Sequence, residues 1–436
     1  GGLAYVMGWT GGFCLVALLI APQLRAMKLY TLPDYFDRRF GGRWPRIIAA
    51  LAAVLCSFTY VVAQIYGIGL IASRLTGVQF EIGILLGLGG VLLCSFLGGM
   101  RAITWTQVAQ YIMLLLAFLI PVSWLAYQQL GSPLATWDYG AQLARIETIE
   151  KRLIHDPAEI EVRQEYARRA QVYESRLTHV EQAMVDLRQE LEDQIRQLKA
   201  QGADFAVIAK VRRELLAVPR DPAAAKELWS KAMLENRERS LPLGGMPPHA
   251  QAFKGDPDGT PQEVSQFNES RLNFIALIFC LMVGTAGLPH LLTRFYTLPS
   301  VAETRTSVAW SLFFIGLLYL SVPALAVLVK FEVLNNLVGS SFEELPYWMA
   351  QWARLDSGLL QISDVNGDRI LQLGELKLGA DMIMLATPEL GGMPFVVSGL
   401  VAAGGLAAAL STADGLLLTI SNALVHDIVP GRARKP

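Results

Sequence analysis

The sequence predicts an all-α polytopic membrane protein, and three observations support this. Hydrophobic residues make up 53% of the 436 residues, whereas charged residues make up only 17%. Seven stretches are apolar and long enough to cross a bilayer, which takes about 20 residues at about 1.5 Å each. They are residues 1–21, 47–75, 80–99, 102–127, 272–293, 307–330 and 394–425. The formal net charge of −1 argues against a nucleic-acid binder, because neutralising phosphates requires clustered excess Lys and Arg.

The distribution of charge along the chain predicts five segments and their orientation. Basic loop residues stay on the cytoplasmic side of a membrane, and such residues follow the first span: Arg25, Lys28, Arg38, Arg39, Arg43 and Arg46. The predicted segments are membrane helices over 1–130, an extracytoplasmic helical insertion and linker over 131–270, membrane helices over 271–330, an extracytoplasmic loop over 331–393, and a last membrane helix with a cytoplasmic tail over 394–436. We expect a multi-pass protein of the inner (plasma) membrane. The missing initiator Met favours a fragment.

The charged insertion is predicted to be helical. Asp156-Pro157 and Asp221-Pro222 each place a capping carboxylate before a proline at the first helical position. Between them, apolar residues recur at spacings of three and four, as in the seam of a coiled coil: Leu177, Val180, Met184, Leu187, Leu191, Ile195 and Leu198. We expect an antiparallel coiled-coil hairpin whose partner, if any, is unknown. The alternative is a solvated charged helix.

Signatures of soluble enzymes are missing from the sequence. It has no Gly-rich phosphate loop, no zinc-spaced His and Cys set and no serine nucleophile elbow. The four cysteines, Cys14, Cys56, Cys94 and Cys280, lie singly inside apolar runs, which favours neither disulfides nor zinc. The protein is therefore predicted not to be an enzyme.

The fifth apolar stretch carries residues that interrupt a helix. Gly284, Gly287 and Pro289 lie within a span that is otherwise continuous. Proline removes a backbone donor, and broken helices at mid-membrane expose backbone groups that bind ligands in transporters. The alternative is a proline kink that only improves packing.

The seventh stretch contains adjacent hydroxyls and a single acid. Ser411 and Thr412 offer hard oxygen ligands suited to an alkali cation, and a hydroxyl that bends its helix also exposes a carbonyl such as that of Ala408. Hydroxyls that bond back to their own helix are the alternative. Asp414 needs a partner or a water-filled cavity at membrane depth.

Several motifs together resemble the sodium:solute symporter family, and within it the acetate permease-like branch. They are residues 30–36 (YTLPDYF) with Arg39-Phe40, residues 98–102 (GGMRA), residues 104–107 (TWTQ), residues 284–290 (GTAGLPH) with Arg294-Phe295, residues 410–418 (LSTADGLLL), residues 421–423 (SNA), and His426-Asp427. Their order and spacing over all seven apolar stretches make coincidence improbable.

This resemblance implies a LeuT-like ten-helix inverted-repeat core, of which the chain covers helices two to eight. It implies a sodium site at the carbonyl of Ala408 and the hydroxyls of Ser411 and Thr412, completed by a first core helix that this fragment lacks. It also places a set of candidate substrate-binding residues around a central cavity: Trp9, Tyr60, Gln64, Gly284, Thr285 and Gly287. Gln107 departs from the family pattern, since many relatives have Asp there.

A separate motif in the outer loop has the spacing of a calcium loop. The oxygen ligands fall at positions one, three, five, seven and twelve: Asp364, Asn366, Asp368, the carbonyl of Ile370, and Glu375. Position six is Arg369 where glycine is usual. Calcium is the predicted ligand, and a solvated acidic turn is the alternative.

The leading functional hypothesis is sodium-coupled import of a small organic anion, a monocarboxylate such as acetate, by alternating access. The partners would be sodium and the lipid bilayer, with no nucleic acid. A second hypothesis is a symporter-like sensor that signals solute occupancy to a partner. A third is an assembly role for the coiled coil.

Overall fold

A computed structural model describes residues 2–27, 29, 31–134, 138–295, 300–356 and 358–428. Lys28, Tyr30 and the tail from residue 429 lie outside the described residues. For Arg25, Leu75, Thr293, Phe295, Val301 and residues 91 and 93–103, only the backbone is described.

The described chain is almost entirely helical. Its α-helices are α1 (Gly2–Leu15), α2 (Ala21–Ala26), α3 (Leu32–Phe40), α4 (Arg43–Thr76), α5 (Phe80–Leu130), α6 (Gly140–Ile154), α7 (Pro157–Thr178), α8 (Val180–Ala200), α9 (Phe205–Ala217), α10 (Pro222–Arg239), α11 (Pro261–Ala286), α12 (Pro289–Phe295), α13 (Val301–Glu332), α14 (Tyr347–Leu355), α15 (Ala380–Leu390) and α16 (Phe395–Asn422). One antiparallel pair of strands, β1 (Leu360–Ile362) and β2 (Leu376–Leu378), lies between α14 and α15. Short π-helical stretches continue three helices, at Val16–Ile20, Val333–Leu337 and Ala423–Ile428.

Six of these helical stretches are long and apolar enough to cross a membrane, which confirms the all-α polytopic fold class. They are Gly2–Leu24, Arg43–Arg74, Thr104–Leu130, Pro261–Ala286, Ala302–Leu337 and Phe395–Ile428. Each overlaps one of the seven predicted spans. The remaining predicted span, residues 80–99, corresponds to the shorter apolar helical segment Phe80–Gly90.

The third and fourth predicted spans, residues 80–99 and 102–127, are not separated by a turn. The backbone forms one helix, α5, of 51 residues, which at about 1.5 Å per residue is about 76 Å long. Gly98 and Gly99 continue this helix because glycine, unlike proline, still donates its N–H to the helical ladder. The helix ends at Leu130, where Gly131 adopts a φ of 71°.

The chain divides into two compact units. The first contains residues 1–145, 250–333 and 379–436, and its helices pack closely at glycines. A side chain at Gly404 of α16 would collide with Ala117 of α5, and one at Gly87 of α5 would collide with Ile68 of α4. Such contacts between backbones are the usual way that membrane helices associate.

The second unit contains residues 146–249 and 334–378. The apolar seam of the insertion is buried there against two further helices. Leu191 and Ile195 of α8 pack with Val211 of α9, and Met184 packs with Trp229 of α10. The seam thus finds its partners within the same chain, in a cluster of helices.

In the second unit, residues of the outer loop and of the insertion belong to one compact body. The carboxylate of Glu159 on α7 accepts hydrogen bonds from the backbone N–H groups of Leu373 and Gly374. Lys377 Nζ lies 2.5 Å from Glu235 Oε1 on α10. Helix α11 begins at Pro261, within the predicted segment 131–270.

The early start of α11 has a local cause. Thr260 and Glu263 form a capping box, in which each side chain binds the backbone N–H of the other residue. This arrangement satisfies orphan donors at a helix start. The polar residues before the apolar stretch are therefore helical.

Candidate functional site

The predicted interruption of the fifth apolar stretch is present. Helix α11 ends at Ala286 and α12 begins at Pro289. Around the break, the Gly287 N–H donates to the carbonyls of Val283 at 3.0 Å and Gly284 at 3.2 Å, and the Leu288 N–H donates to Thr285 at 3.3 Å. Proline at the first position of α12 needs no donor, so the chain restarts a helix directly after the break.

The candidate substrate residues at the break face different surroundings. Thr285 is buried against α1, because a Cβ placed on Gly12 would lie only 2.5 Å from the Thr285 Cβ. Gly284 and Gly287 are exposed, and a Cβ on Gly284 would meet nothing within 4 Å. Thr285 therefore holds α11 to α1, and the two glycines leave backbone open.

The other candidate substrate residues lie on helices that pack around this region. The Tyr60 ring on α4 lies against His290, the second residue of α12, with centroids 5.7 Å apart. Gln64 is half-buried one turn further along α4. Trp9 on α1 stacks on Tyr319 of α13 at 5.9 Å. Tyr60 thus adjoins the break directly, and Trp9 belongs to a neighbouring aromatic pair.

The three candidate sodium ligands lie together on α16. Ser411 Oγ donates to the Ala408 carbonyl at 2.9 Å, and Thr412 Oγ1 donates to the same carbonyl at 3.0 Å. Both side chains are half-buried. The hydroxyls therefore bond back to their own helix, with their lone pairs left as acceptors.

Gln107 of α5 links this segment to the broken span. Its Nε2 donates to the Ser411 carbonyl at 2.8 Å, and its Oε1 accepts from Arg294 Nη1 on α12 at 2.6 Å. The amide has both a donor and an acceptor, so it joins a carbonyl to a guanidinium. In the sequence, Gln107 stands out only as a departure from the family pattern. The signal for its role is a bifunctional amide and an arginine, both near the ends of apolar stretches.

Asp414 is buried on the same helix, one turn beyond the hydroxyls, at 2% exposure. Arg294 also approaches here, because its Nη2 would lie 3.2 Å from a Cβ placed on Gly415. A glycine at this position therefore admits the guanidinium to the surface of α16. This gives a short polar path from α12 to the candidate cation ligands.

The candidate calcium loop in the second unit is closed by its own hydrogen bonds. Glu375 is fully buried, and its carboxylate accepts from the backbone N–H groups of Val365 and Gln372. Asp364 Oδ1 accepts from the Gly367 N–H at 2.8 Å, and Asp368 Oδ1 accepts from the Ile370 N–H at 2.8 Å. The four predicted side-chain ligands, Asp364, Asn366, Asp368 and Glu375, thus each accept a hydrogen bond from the loop backbone.

The backbone of this loop resolves the anomaly at position six. Arg369 has a φ of 61°, a left-handed conformation that glycine adopts more easily. Among the described residues, only Asp34, His426 and Asp427 bring three acidic or His ligand atoms within 4.8 Å of one another. The loop carboxylates would therefore have to move closer together to hold calcium.

Comparisons with known proteins agree with this architecture. Residues 1–154 match the profile of the sodium:solute symporter family. An uncharacterized symporter of Cupriavidus necator is 50% identical over 98% of this chain and 62% of its own length. The first 154 residues are thus similar to the sodium:solute symporter family, and nearly the whole chain is similar to a protein named as a symporter.

More distant relatives include a protein of Corynebacterium glutamicum named monocarboxylic acid transporter. It is 22% identical over 98% of this chain and 54% of its own length. An uncharacterized symporter of Bacillus subtilis is 29% identical over 31% of the chain and 26% of its own length. The chain thus spans about 60% or less of these relatives. No solved structure matches it.

The first and last motifs of the resemblance, residues 30–36 and His426-Asp427, meet at one end of α4. Arg46 pairs with Asp34 at 3.0 Å and with Asp427 at 3.0 Å, and Thr31 Oγ1 donates to Asp427 Oδ1 at 3.0 Å. A guanidinium in the middle of this group favours an ion-pair network over a metal. Thr31 and Asp427 lie 396 positions apart in the sequence. The network joins α3 and α4 to the end of α16.

Proposed function

We propose that the full-length protein is a sodium-coupled symporter of the inner membrane that imports a small monocarboxylate, such as acetate, by alternating access. The observation that supports this best is the polar path from the broken span to the hydroxyl segment, through Arg294, Gln107 and the Ser411 carbonyl. Polar groups in a membrane bundle are costly unless they are paired, and they mark transport pathways.

The proposed cation site uses the Ala408 carbonyl with the Ser411 and Thr412 hydroxyls. These oxygens lie within 3.0 Å of the shared carbonyl, and hydroxyl and carbonyl oxygens are hard ligands for an alkali cation. When sodium binds, each hydroxyl would turn a lone pair to the ion. Further ligands would come from the first core helix that the family resemblance implies.

The proposed solute site lies at the break between α11 and α12. Gly284 and Gly287 are exposed there, and the backbone of a broken helix can bind a carboxylate through amide donors. Tyr60, Gln64 and Trp9 are the proposed side-chain neighbours. The name of the Corynebacterium relative, a monocarboxylic acid transporter, favours this solute class.

The two proposed sites communicate through Gln107. Movement of the Ser411 carbonyl on cation binding would shift the Gln107 amide and, with it, Arg294 on α12. A cation that binds one conformation better than the other shifts the equilibrium between them. This would let sodium favour the solute-binding conformation.

Uptake by membrane vesicles containing the full-length protein tests the proposal. Labelled acetate, lactate, pyruvate and proline are supplied with and without an inward sodium gradient. We expect sodium-dependent uptake of a monocarboxylate, and we expect Ser411→Ala and Thr412→Ala each to abolish it, because each removes a cation ligand.

Thr419→Ala is the matched control. Thr419 lies on the same helix and donates to the Gly415 carbonyl at 2.9 Å, the same kind of back-bond as that of Thr412. Uptake in this variant should equal that of the unmodified protein. Full uptake in both Ser411→Ala and Thr412→Ala, at normal protein levels, would refute the cation-site assignment.

A further inference from the structure

A groove lined with arginines runs between α7 and α10 in the second unit. Its volume is about 570 Å³. On α7 it is bordered by residues 168, 169, 172, 173 and 176, and on α10 by residues 232, 235, 236 and 239. Spacings of three and four place each set along one helix face. Two facing helix surfaces therefore form most of the groove, and Gln361 and Ser363 complete its lining.

Arg176 at one end of the groove is held by aromatic rings. Its guanidinium carbon lies 5.6 Å from the Tyr173 ring centroid and 5.9 Å from that of Trp229. Within the described part of the chain, no carboxylate forms an ion pair with Arg176. Stacking orients a guanidinium without using its N–H donors, so these donors remain available to a ligand.

Arg239 occupies the other end. Its Nη1 donates to the Tyr166 hydroxyl at 2.7 Å, and its guanidinium carbon lies 5.3 Å from the same ring. Ten positions separate Tyr166 from Arg176 on α7, which is about 15 Å along a helix. The groove is thus elongated, with an oriented guanidinium at each end.

The groove as a whole, ends included, carries excess positive charge. Four arginines line the groove with a single carboxylate, Glu235, so three positive charges are in excess. Lys377 binds Glu235 from the side and holds the pKa of that carboxyl below its usual value. Glu165, which lies outside the lining, pairs with Arg168 and Arg169, and these hydrogen bonds lower its pKa to about 2. Even with Glu165 counted, two positive charges remain in excess.

We propose that this groove binds a small organic anion with two or more carboxylates, as a site separate from the proposed transport pathway. Planar guanidinium groups match carboxylates in two-point hydrogen bonds. A multivalent anion can reach more than one arginine, whereas acetate can reach one and would leave most of a 570 Å³ groove empty. The proposal does not depend on the transported solute.

Calorimetric titration of the purified full-length protein tests the proposal, with citrate, succinate, acetate and inorganic phosphate as probes. We expect saturable one-to-one binding of citrate, weaker binding of succinate, and binding of acetate at least about tenfold weaker than that of citrate, since one charge-assisted hydrogen bond is worth about 1.5 kcal/mol or more. Citrate binding should weaken between low and high salt, because the groove is open to solvent.

Arg176→Gln should weaken citrate binding by about tenfold or more, because it removes the unpaired guanidinium. Arg168→Gln changes a side chain that is 66% exposed, so it should fold normally, and it should weaken citrate binding by about threefold. Arg213→Gln on α9 makes the same charge change at an exposed residue outside the groove and should leave the Kd unchanged.

Three results would overturn the proposal. One is the absence of saturable citrate binding. Another is citrate binding that Arg168→Gln and Arg176→Gln leave unaltered, which would place the ligand elsewhere. The third is phosphate binding more tightly than citrate, which would reject carboxylates as the ligand class.

Discussion

Two segments of this chain present oxygen atoms in patterns suited to a cation, and the structure treats them differently. On α16, two hydroxyls share one carbonyl, that of Ala408, and remain half-buried. In the loop of residues 364–375, Glu375 is fully buried and receives two backbone N–H groups. The hydroxyls of α16 are held only by weak hydrogen bonds to their own helix. The Glu375 carboxylate instead holds the loop closed through its backbone N–H groups.

The difference shows that oxygen ligands at the right spacing can contribute either little or much to the stability of the fold. A hydroxyl that back-bonds in a helix contributes little to stability, since the carbonyl already accepts the helical N–H. A buried carboxylate that satisfies loop N–H groups is costly to remove, because those donors are then left unpaired. The α16 segment is therefore free to exchange its bonds for an ion, whereas the loop carboxylate has a structural role before any ion binds.

The largest expected effect is that of Glu375→Ala. Loss of this buried carboxylate leaves the N–H groups of Val365 and Gln372 without their acceptor, which should destabilise the second unit by about 2 to 3 kcal/mol. Chemical unfolding of the full-length protein, followed by tryptophan fluorescence, measures the change. Glu343→Ala, at a side chain that is 79% exposed, is the control and should change stability little. Equal effects of the two variants would show that Glu375 has no structural role.

A smaller effect is expected from calcium. If the loop binds calcium, an ion concentration ten times its Kd stabilises the protein by about 1.4 kcal/mol, and extracellular sites of this kind have a Kd of about 10⁻⁴ to 10⁻³ M. Thermal unfolding with calcium or magnesium at about 10 mM provides the measurement. Asp364→Asn should remove the calcium-specific rise in unfolding temperature. No rise with calcium would favour the acidic turn instead.

The smallest expected effect is that of Ser411→Ala on stability. It removes a back-bond and introduces a better helix former, so the free energy of unfolding should change by no more than about 0.5 kcal/mol. Thermal unfolding of the full-length protein in detergent tests this, alongside the uptake assay. A loss above about 2 kcal/mol would mean that Ser411 is structural and that lost transport reports misfolding.

The helix break shows how far local chemistry can predict this fold. Gly284, Gly287 and Pro289 predict it together, because proline lacks a donor and glycine lowers helix propensity, whereas Pro121 alone lies inside α5 without ending it. The same reasoning fails at Gly98 and Gly99, where no proline removes a hydrogen bond and α5 continues. Glycine in a membrane helix therefore indicates close packing as readily as a break.

The site was only partly predictable for a related reason. The pattern on α16 identifies Ala408, Ser411 and Thr412 as neighbours, since residues three and four apart share a helix face. Whether Thr285 faces a ligand or a helix depends on Gly12, which lies 273 positions earlier and packs against it. The role of Gln107 likewise depends on Arg294 and Ser411, residues far away in sequence.

By itself, the sequence determined that this chain is a bundle of apolar helices with a broken fifth span, a hydroxyl pair and a helical insertion. Each of these follows from hydrophobicity, helical periodicity and the backbone chemistry of single residues, which act over a few positions. Only the tertiary structure decided which polar groups pair: Gln107 with Arg294, Arg46 with Asp427, and Arg239 of α10 with Tyr166 of α7. Pairing depends on which helix faces meet, and that is set by the packing of the whole bundle rather than by any one segment.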